Sequence, residues 1–197
     1  MSPGPHRLIL ASASPRREEL LRQLGMPFTV VPSDLPEQLP AGPPDESARA
    51  LALAKARAVA GRIGSGVVLG ADTLVVLGGE ALGKPRGPDD ARRMLRALSG
   101  RTHEVITGVA LVEAPGGRET STAVVTQVRM ARYGEEEIAA YLATGEPFDK
   151  AGAYAIQAAG SRLVAHLDGC YTNVVGLPLT TTRRLLAEWG LLGAGGL

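Results

Sequence analysis

The fold class is decided by one stretch of the chain, Val67-Val-Leu-Gly-Ala-Asp-Thr-Leu-Val-Val-Leu-Gly-Gly-Glu-Ala-Leu82. Its apolar runs predict two strands, 67–71 and 74–77, which are separated only by Asp72 and Thr73. The Gly-Gly pair that follows is typical of a tight hairpin turn, so a short strand over 80–82 should pair antiparallel with the strand before it. A sheet that contains this hairpin cannot be purely parallel.

Helices and strands alternate along the rest of the chain, without internal repeats. The predicted helices are 15–24, 45–63, 89–98, 135–143 and a last helix that ends at Trp189. The other predicted strands are 7–11, 28–32, 104–112, 122–130, 162–167 and 173–175, and the pair 104–112 and 122–130 should form an antiparallel ribbon. Strands joined by helical crossovers pair in parallel, whereas hairpins pair antiparallel. The sequence therefore predicts an α/β protein with a mixed β-sheet flanked by helices.

The composition is that of a globular protein, and we expect a single domain over residues 1–197 with flexible ends at 1–5 and 193–197. The formal net charge of +1 argues against a broad nucleic-acid-binding face, which would show an excess of Lys and Arg. No apolar run approaches the roughly 20 residues that span a bilayer, and the lone Cys170 cannot form an internal disulfide. We therefore expect a cytoplasmic protein that binds neither nucleic acid nor membrane.

Asp72 is the strongest single candidate for a functional residue. It interrupts an apolar stretch, and an ionised carboxylate in such a place must meet a cation or hydrogen-bond donors, or lose its charge. One interpretation is a carboxylate at a strand end that binds a metal or acts as a general base. The other is a turn Asp between two strands that is satisfied by Thr73 and nearby amides.

The segment Ser12-Ala-Ser-Pro-Arg-Arg17 places two hydroxyls and two guanidinium groups where a predicted strand meets a predicted helix. The first backbone N–H groups of a helix have no partner within it, and paired arginines suit phosphate. This pattern predicts an anion site. The alternative is an ordinary Ser-Pro helix cap with solvated arginines.

Gly78-Gly-Glu-Ala-Leu-Gly-Lys84 matches the opening of a phosphate-binding Walker loop, but the match fails in context. Pro85 stands where the magnesium-binding Ser or Thr should be, and a hairpin is predicted where a Walker loop needs a strand leading directly into a helix. We reject that assignment. Lys84 itself is predicted either to contact phosphate as a point charge or to be a solvated loop residue.

The stretch Gly145–Gln157 is dense in polar function, since it carries Asp149, Lys150, Tyr154 and Gln157 in a loop followed by an extended segment. A loop with acid, base and amide groups together is more often a site than a chance surface, and the Gln157 amide could read a base edge. The alternative is a helix stop followed by a structural ion pair.

Other polar residues give weaker signals. A long Pro-rich acidic connection runs to Pro44, and its Asp34 and Glu37 are either functional or part of a solvated surface loop. Three widely spaced histidines show no metal-ligand spacing and are predicted to be surface or core residues: His6, His103 and His166. Cys170 has no convincing partner as a nucleophile.

Several motifs occur in a fixed order over residues 7–190. They are Ser12-x-Ser14-Pro-Arg16-Arg17, Gly70-Ala-Asp72-Thr73, Gly83-Lys84-Pro85, Leu98-Ser-Gly-Arg-Thr-His103, Asp149-Lys150-Ala-Gly-Ala-Tyr154-x-Ile-Gln157 and Val175-Gly-Leu-Pro178. Their number, order and spacing together resemble the Maf family of nucleoside triphosphate pyrophosphatases. The resemblance implies an elongated α/β fold like that of the inosine triphosphate pyrophosphatases. It also implies a cytoplasmic, homodimeric enzyme that cleaves a nucleoside triphosphate to its monophosphate and pyrophosphate.

The resemblance also implies roles for individual residues. By motif position Asp72 is the catalytic acid or base, and a divalent cation, Mg²⁺ or Mn²⁺, is held by Asp72 and Glu37 with help from Asp149. The residues implied to bind substrate are Ser12, Ser14, Arg16, Arg17, Lys55, Thr73, Lys84, Lys150 and Gln157. Among these, Arg17, Lys55 and Lys84 match positions that hold the triphosphate, whereas Arg16, Thr73 and Gln157 match positions tied to substrate choice.

Within the family, the Asp-Lys-Ala-Gly-Ala-Tyr and Tyr-x-Asn-Val-Val-Gly-Leu-Pro patterns are similar to the branch that acts on dTTP and UTP. The other branch prefers 7-methyl-GTP. Ala155 and Ala158 depart from the pattern, because this branch commonly has glycines there, and the added methyl groups could narrow the approach to the base. The alternatives are a noncatalytic nucleotide-sensing regulator of septum formation and cell division, or a pyrophosphatase for modified purine or pyrimidine triphosphates.

Overall fold

The computed structural model describes residues 7–35 and 42–192. Its strands are β1 (Leu8–Leu10), β2 (Phe28–Val30), β3 (Gly66–Leu77), β4 (Glu80–Leu82), β5 (Thr102–Ala114), β6 (Glu119–Met130) and β7 (Val164–Asp168). Its α-helices are α1 (Pro15–Arg22), α2 (Pro44–Ala60), α3 (Pro88–Leu98), α4 (Glu135–Ala143), α5 (Tyr171–Val175) and α6 (Leu179–Glu188). Three 3₁₀ turns cover Glu146–Asp149, Ala151–Ala153 and Ala158–Leu163. The ends predicted to be flexible, 1–5 and 193–197, lie outside the described residues, as does Glu37.

The seven strands of the described residues form one mixed sheet in the order β2-β1-β3-β5-β6-β7, with β4 paired to β3. β1 lies parallel to both β2 and β3, and its Leu10 is in register with Leu69. β4 pairs antiparallel with β3 through the predicted hairpin, and β7 pairs antiparallel with β6. The α/β class and the mixed sheet flanked by helices are confirmed.

The chain divides into two compact units. The described part of the first unit consists of 7–35, 42–72, 107–124 and 176–192, and the second unit consists of 73–106 and 125–175. Because each unit is assembled from separate stretches of the chain, no single cut in the sequence separates them.

The core of the first unit explains why α2 is rich in alanine. A Cβ added at Gly70 would lie 2.2 Å from the carbonyl oxygen of Ala52, and one added at Gly108 would lie 2.1 Å from that of Ala48. Only glycine on the strands, facing the backbone of the helix, permits so close an approach. α2 therefore lies directly on β3 and β5, and any side chain at its buried positions is held tightly.

The second unit has a more conventional core, in which larger side chains fill the space between helices and sheet. Its buried members include Met94, Leu95 and Leu98 of α3, Ile138 of α4 and Met130 of β6. α3 begins with Pro88 at its first turn and carries Asp89 and Asp90 there, which is favourable for the helix dipole. Burial of each large apolar side chain contributes about 1.5–3 kcal/mol.

Three details of the predicted secondary structure are wrong. Asp72 and Thr73 do not separate two strands, because β3 is continuous from Gly66 to Leu77. The segment predicted as a strand over 173–175 is helix α5, and the Asn173 amide nitrogen donates to the Val105 carbonyl and the Thr126 hydroxyl, both at 2.9 Å. Residues 162–163 belong to a 3₁₀ turn, so that β7 begins only at Val164. The tertiary hydrogen bonds of Asn173 outweigh the β propensity of Val174 and Val175.

Within the described ranges, no helix is both long enough and apolar enough to cross a membrane.

Candidate active site

Asp72 in β3 pairs with Lys55 of α2. The Lys55 Nζ lies 2.5 Å from the Asp72 Oδ1, and each side chain is only 9% exposed. The pair exists because α2 lies directly on β3, so that the long stem of Lys55 runs along buried surface before its ammonium group meets the carboxylate. The prediction that the Asp72 carboxylate must meet a cation or donors is confirmed, and the cation is Lys55.

A pair this deeply buried is not explained by stability. The desolvation of two charges roughly cancels their attraction, and well-packed apolar residues would often be as stable. A buried ion pair is more typical of a site where charge has a chemical task. Lys55 and Asp72 are therefore the first two members of the candidate site.

Ser12 and Arg17 form a hydrogen-bonded turn at the end of β1. The backbone N–H of Ser14 donates to the Ser12 hydroxyl at 3.2 Å, and the Arg17 Nη1 donates to the same oxygen at 3.4 Å. The Arg17 Nε donates to the Gly176 carbonyl at 2.9 Å. Arg17 is therefore held in place rather than solvated. Both Arg16 and Arg17 are half-buried.

Ser14 is the N-cap of α1, because its hydroxyl accepts a hydrogen bond from the Arg17 backbone N–H at 3.5 Å. The Ser-Pro cap is therefore present, but Arg17 is bonded to the protein rather than solvated, and the anion site stays a prediction. The Ala11 N–H donates to the Leu69 carbonyl at 2.8 Å, so the turn begins beside the segment of β3 that leads to Asp72. The turn after β1 therefore lies alongside the middle of β3, where Asp72 is located.

In the second unit, the segment carrying Lys84 is joined to the turn that follows Lys150. The Gly152 N–H donates to the Gly83 carbonyl at 3.1 Å. Lys84 also lines a cavity of about 420 Å³, together with Ala81, Leu82, Gly83, Arg86, Asp90, Arg93 and Met94. A cavity with three cationic side chains and one carboxylate is suited to anions.

Lys150 and Asp149 form the ion pair that was one of the alternatives for this segment. The Lys150 Nζ lies 2.6 Å from the Asp149 Oδ1 and donates to the Glu146 carbonyl at 2.7 Å. The Asp149 side chain is 72% exposed, whereas the Lys150 side chain is 11% exposed. Rather than a loop with an extended segment, this stretch contains the 3₁₀ turns Glu146–Asp149 and Ala151–Ala153.

Gln157 lies directly before the third 3₁₀ turn and is half-buried. The segment that leads to it is held by two buried tyrosines. The Tyr154 hydroxyl lies 2.7 Å from the His103 Nε2, and the Tyr141 hydroxyl accepts a hydrogen bond from the Ala155 N–H at 3.1 Å. Burial raises the pKa of Tyr154, and burial also raises the pKa of Tyr141 to about 12.

The sequence alone assigns no role to His103 or Tyr141. His103 was predicted to be a surface or core histidine, and the structure places it in the core, where burial lowers its pKa to about 4. The signal that could have drawn attention to His103 is its place at the end of Leu98-Ser-Gly-Arg-Thr-His103.

No group of three His, Cys, Asp or Glu residues that could hold a metal occurs among residues 7–35 and 42–192. Of the three predicted metal ligands, Glu37 lies outside these ranges, Asp72 pairs with Lys55, and Asp149 pairs with Lys150.

Two further residues named from the sequence lie in the first half of the chain. Thr73, a predicted substrate-binding residue, follows Asp72 in β3. Asp34, whose loop was singled out, forms an exposed ion pair with Arg62 at 3.3 Å.

A family model described as "Maf-like protein" matches residues 7–189. A curated relative from Moorella thermoacetica named "dTTP/UTP pyrophosphatase" is 56% identical over 94% of this chain and 96% of its own length. A protein of the same name from Anaeromyxobacter dehalogenans is 54% identical over 93% of this chain and 94% of its own length. A crystal structure of a "Nucleoside-triphosphatase / dITP/XTP pyrophosphatase" from Mycobacterium abscessus is 17% identical over 94% of this chain and 98% of that one, with a TM-score of 0.46.

Proposed function

The chain belongs to the Maf family, and from that premise we propose that it hydrolyses dTTP and UTP to the nucleoside monophosphate and pyrophosphate. It is a hydrolase that acts on an acid anhydride. The substrates are supported by the activity named for relatives that match nearly the whole chain. The observation in the structure that carries the proposal is the buried pair of Lys55 and Asp72 beside the turn of Ser12 and Arg17.

Asp72 is the proposed catalytic group. The reaction joins a water oxygen to the α-phosphorus and breaks the bond from that phosphorus to the bridging oxygen of the β-phosphate. The water must lose a proton as it attacks, and a carboxylate can accept that proton. Lys55, bonded to one carboxylate oxygen, keeps Asp72 oriented, so that the second oxygen is left to face substrate or cation.

We propose that a divalent cation, Mg²⁺ or Mn²⁺, is held by Asp72 and Glu37 with help from Asp149. The donors fit, because carboxylate oxygens are the ligands that these cations prefer. Magnesium is usually bound by one or two carboxylates together with substrate phosphates rather than by a complete protein cage. When bound, such a cation neutralises phosphate charge and lowers the pKa of a coordinated water.

The triphosphate carries about four negative charges, and basic side chains are needed to neutralise them when it binds. We assign this task to Arg17, Lys55, Lys84 and Lys150, with the hydroxyls of Ser12 and Ser14 as further donors. These groups accelerate the reaction to the extent that they bind the transition state more tightly than the ground state. Arg17 is already held by Ser12 and Gly176, so little side-chain entropy remains to be lost on binding.

Arg16, Thr73 and Gln157 are proposed to determine the choice of base. Gln157 is suited to this role because an amide presents both a donor and an acceptor, which can pair with one edge of a pyrimidine. A site built to form such hydrogen bonds discriminates strongly against a substrate that leaves them unpaired.

The proposal is tested by product analysis with the whole chain. Purified protein is incubated with dTTP, UTP, CTP, dATP, GTP and 7-methyl-GTP in ¹⁸O-labelled water, with Mg²⁺, Mn²⁺ or EDTA. We expect pyrophosphate and monophosphate from dTTP and UTP, with the label in the monophosphate and no turnover in EDTA. Orthophosphate and diphosphate as products, or label in the pyrophosphate, would contradict the proposed bond cleavage. Binding of dTTP without turnover would instead support the noncatalytic regulator.

A homodimer in the cytoplasm is also proposed, with no nucleic acid or membrane as a partner. The support is the family to which the chain belongs and, against a nucleic-acid partner, the formal net charge of +1. Sedimentation equilibrium of the purified chain would distinguish a dimer from a monomer of 20.4 kDa.

A further inference from the structure

We propose that His103 is a positioning residue for base recognition. Its bond to the Tyr154 hydroxyl fixes the segment 150–157, so that Gln157 and Lys150 meet the nucleotide in a single geometry. The inference rests on the proposed function, because it assumes that Gln157 faces a base. It adds a residue that makes no contact with the nucleotide.

His103 is placed to act through another residue and not on substrate directly. It lies in β5, is only 2% exposed, and its Nε2 is 2.7 Å from the Tyr154 hydroxyl. The two rings meet edge to face, with their centroids 5.3 Å apart and their planes at 85°. A buried hydrogen bond together with an edge-to-face contact fixes both the position and the orientation of the Tyr154 ring.

Stability alone does not account for this pair. The His103 Nδ1 is buried and has no hydrogen-bond partner within the described residues. In either neutral tautomer this nitrogen is therefore an unpaired donor or an unpaired acceptor, which costs about 1–3 kcal/mol. Two apolar side chains of similar shape would avoid that cost. Unlike an apolar pair, His103 and Tyr154 form a hydrogen bond, which has a fixed direction. That direction can set the position of the segment 150–157.

The segment that Tyr154 holds has few other constraints. Gly152 and Ala153 have positive φ values of 69° and 58°, so the 3₁₀ turn over Ala151–Ala153 departs from regular helical geometry. On one side of Tyr154, Gly152 donates to Gly83, and its Cα packs so closely on Val75 that an added Cβ would lie 2.8 Å from the Val75 Cγ1.

On the other side of Tyr154, the Ala155 N–H donates to the Tyr141 hydroxyl at 3.1 Å. Tyr154 lies between these two contacts and is only 5% exposed. Lys150 precedes this anchored stretch and Gln157 follows it. A displacement of Tyr154 therefore moves Gln157 most directly, since Lys150 is also held by the Glu146 carbonyl and the Asp149 carboxylate. A misplacement of about 1 Å can lower a rate 100-fold.

The test compares two substitutions of His103 with one of Tyr154. His103→Gln can place its amide nitrogen where the imidazole has Nε2, and so can keep a partner for the Tyr154 hydroxyl. His103→Asn is shorter and places its amide near the Nδ1 position, so that it leaves the hydroxyl unpaired. Tyr154→Phe removes only the hydroxyl. For each variant we would measure kcat and KM with dTTP, UTP and dATP, the melting temperature, and hydrogen exchange of the amides in 150–157.

We expect His103→Asn and Tyr154→Phe to lower the preference for dTTP over dATP by about 3- to 10-fold, the effect of one hydrogen bond. The loss should lie mainly in KM for dTTP, and exchange within 150–157 should become faster than in the rest of the core. His103→Gln should restore most of the preference. If the preference is unchanged in His103→Asn and Tyr154→Phe while the melting temperature falls, His103 is merely structural and the inference is wrong.

Failure of the proposed function looks different. If the unsubstituted chain releases no pyrophosphate from dTTP or UTP, the proposed function and this inference both fail. If the unsubstituted chain is active and the variants keep its preference among bases, only the inference about His103 fails.

Discussion

The two units of this chain position their polar groups in different ways. In the first unit, Lys55 and Asp72 project from the middle of a 17-residue helix and a 12-residue strand. In the second unit, Lys150 and Gln157 lie beside short 3₁₀ turns, and buried side chains hold those turns in place. The first pair is located by regular backbone hydrogen bonds and the second by a few side-chain contacts.

The difference has a functional meaning under the proposed reaction. Groups on regular elements are placed more precisely than groups on loops, which suits the step in which bonds break. Irregular segments tolerate substitution and change shape more readily, which suits the recognition of different bases. Catalysis should therefore be sensitive to Asp72, and substrate preference to the segment around Gln157.

The largest expected effect comes from exchanging the Asp72 carboxylate for an amide. Asp72→Asn should lower kcat for dTTP about 100- to 10,000-fold, because the amide cannot accept a proton or bind a cation as the carboxylate does. Its preference among bases should not change. The matched variant Gln157→Ala should do the opposite and lower the preference for dTTP over dATP about 10-fold, with kcat nearly constant.

Steady-state kinetics with dTTP and dATP, together with circular dichroism to show that both variants are folded, would measure these effects. A change of base preference in Asp72→Asn, or a large loss of kcat in Gln157→Ala, would break the division of labour between the two regions.

The next effect concerns stability. Lys55→Met should lower the free energy of unfolding by about 3–5 kcal/mol, since it leaves the Asp72 carboxylate buried without its cation. Because Lys84 is exposed, Lys84→Met is the matched control, and the loss of any surface charge interaction should change stability by at most about 1 kcal/mol. Urea denaturation measures both.

The double variant Lys55→Met, Asp72→Asn sharpens this prediction. If the loss in Lys55→Met arises from an unpaired charge, removing that charge should restore most of the stability. A double variant as unstable as Lys55→Met would show that the packing of the Lys55 stem, and not its charge, stabilises this region.

How far the sequence predicts this molecule also differs between the two regions. The mixed sheet, the Gly-Gly hairpin and the Ser14 cap follow from local patterns, and so does the need of Asp72 for a charged partner. The identity of that partner does not, because Lys55 is 17 residues away and reaches Asp72 only where α2 lies on β3. Gly70 and Gly108 allow this approach, but the sequence does not reveal their role until α2 is known to pack on the strands.

In the second unit, local patterns are less reliable. Asn173, Val174 and Val175 have the composition of a strand, yet buried hydrogen bonds of Asn173 fix them in a helix. The role of His103 depends on a tyrosine 51 residues away, which no spacing rule connects to it. Turns that depend on tertiary contacts leave little trace in local sequence.

A third prediction concerns pH and again separates the two regions. His103 has a pKa of about 4 in the folded chain and an ordinary value of 6.5 when unfolded. Between these values the unfolded chain binds the proton more readily, so stability should be complete above pH 6.5 and fall as the pH drops toward 4. The loss should amount to about 3 kcal/mol near pH 4, of which about 2 kcal/mol should be present at pH 5.

His103→Gln has no such titration and is the control. Both proteins are denatured with urea between pH 7 and pH 5. Below this range the protonation of carboxylates also changes stability. One of them is Glu135, whose pKa the neighbouring Arg96 lowers to about 2. Parallel profiles for the two proteins would mean that His103 is charged, or hydrated, in the folded chain.

The smallest effect tests the irregular backbone next to Gln157. Ala158 has a positive φ of 49°, a conformation that costs an L-residue about 1–2 kcal/mol but that glycine adopts freely. Ala159 lies in the same 3₁₀ turn, is also exposed and has no positive φ, so it is the matched control. Ala158→Gly should raise the free energy of unfolding by about 0.5–1 kcal/mol, because relief of strain exceeds the extra entropy of the unfolded chain.

Ala159→Gly should lower the free energy of unfolding by a similar amount, since it adds only that entropy. Opposite signs for the two neighbours, measured by chemical denaturation, would show that the chain tolerates strain beside its proposed base-recognition residue. Equal losses of unfolding free energy in the two variants would instead mean that the turn relaxes in solution and that Ala158 is not strained. Gln157 would then be held less rigidly than Lys55 and Asp72. Since Ala158 stands where glycine is common in the branch that this chain resembles, the same variant also shows whether the methyl group affects dTTP turnover.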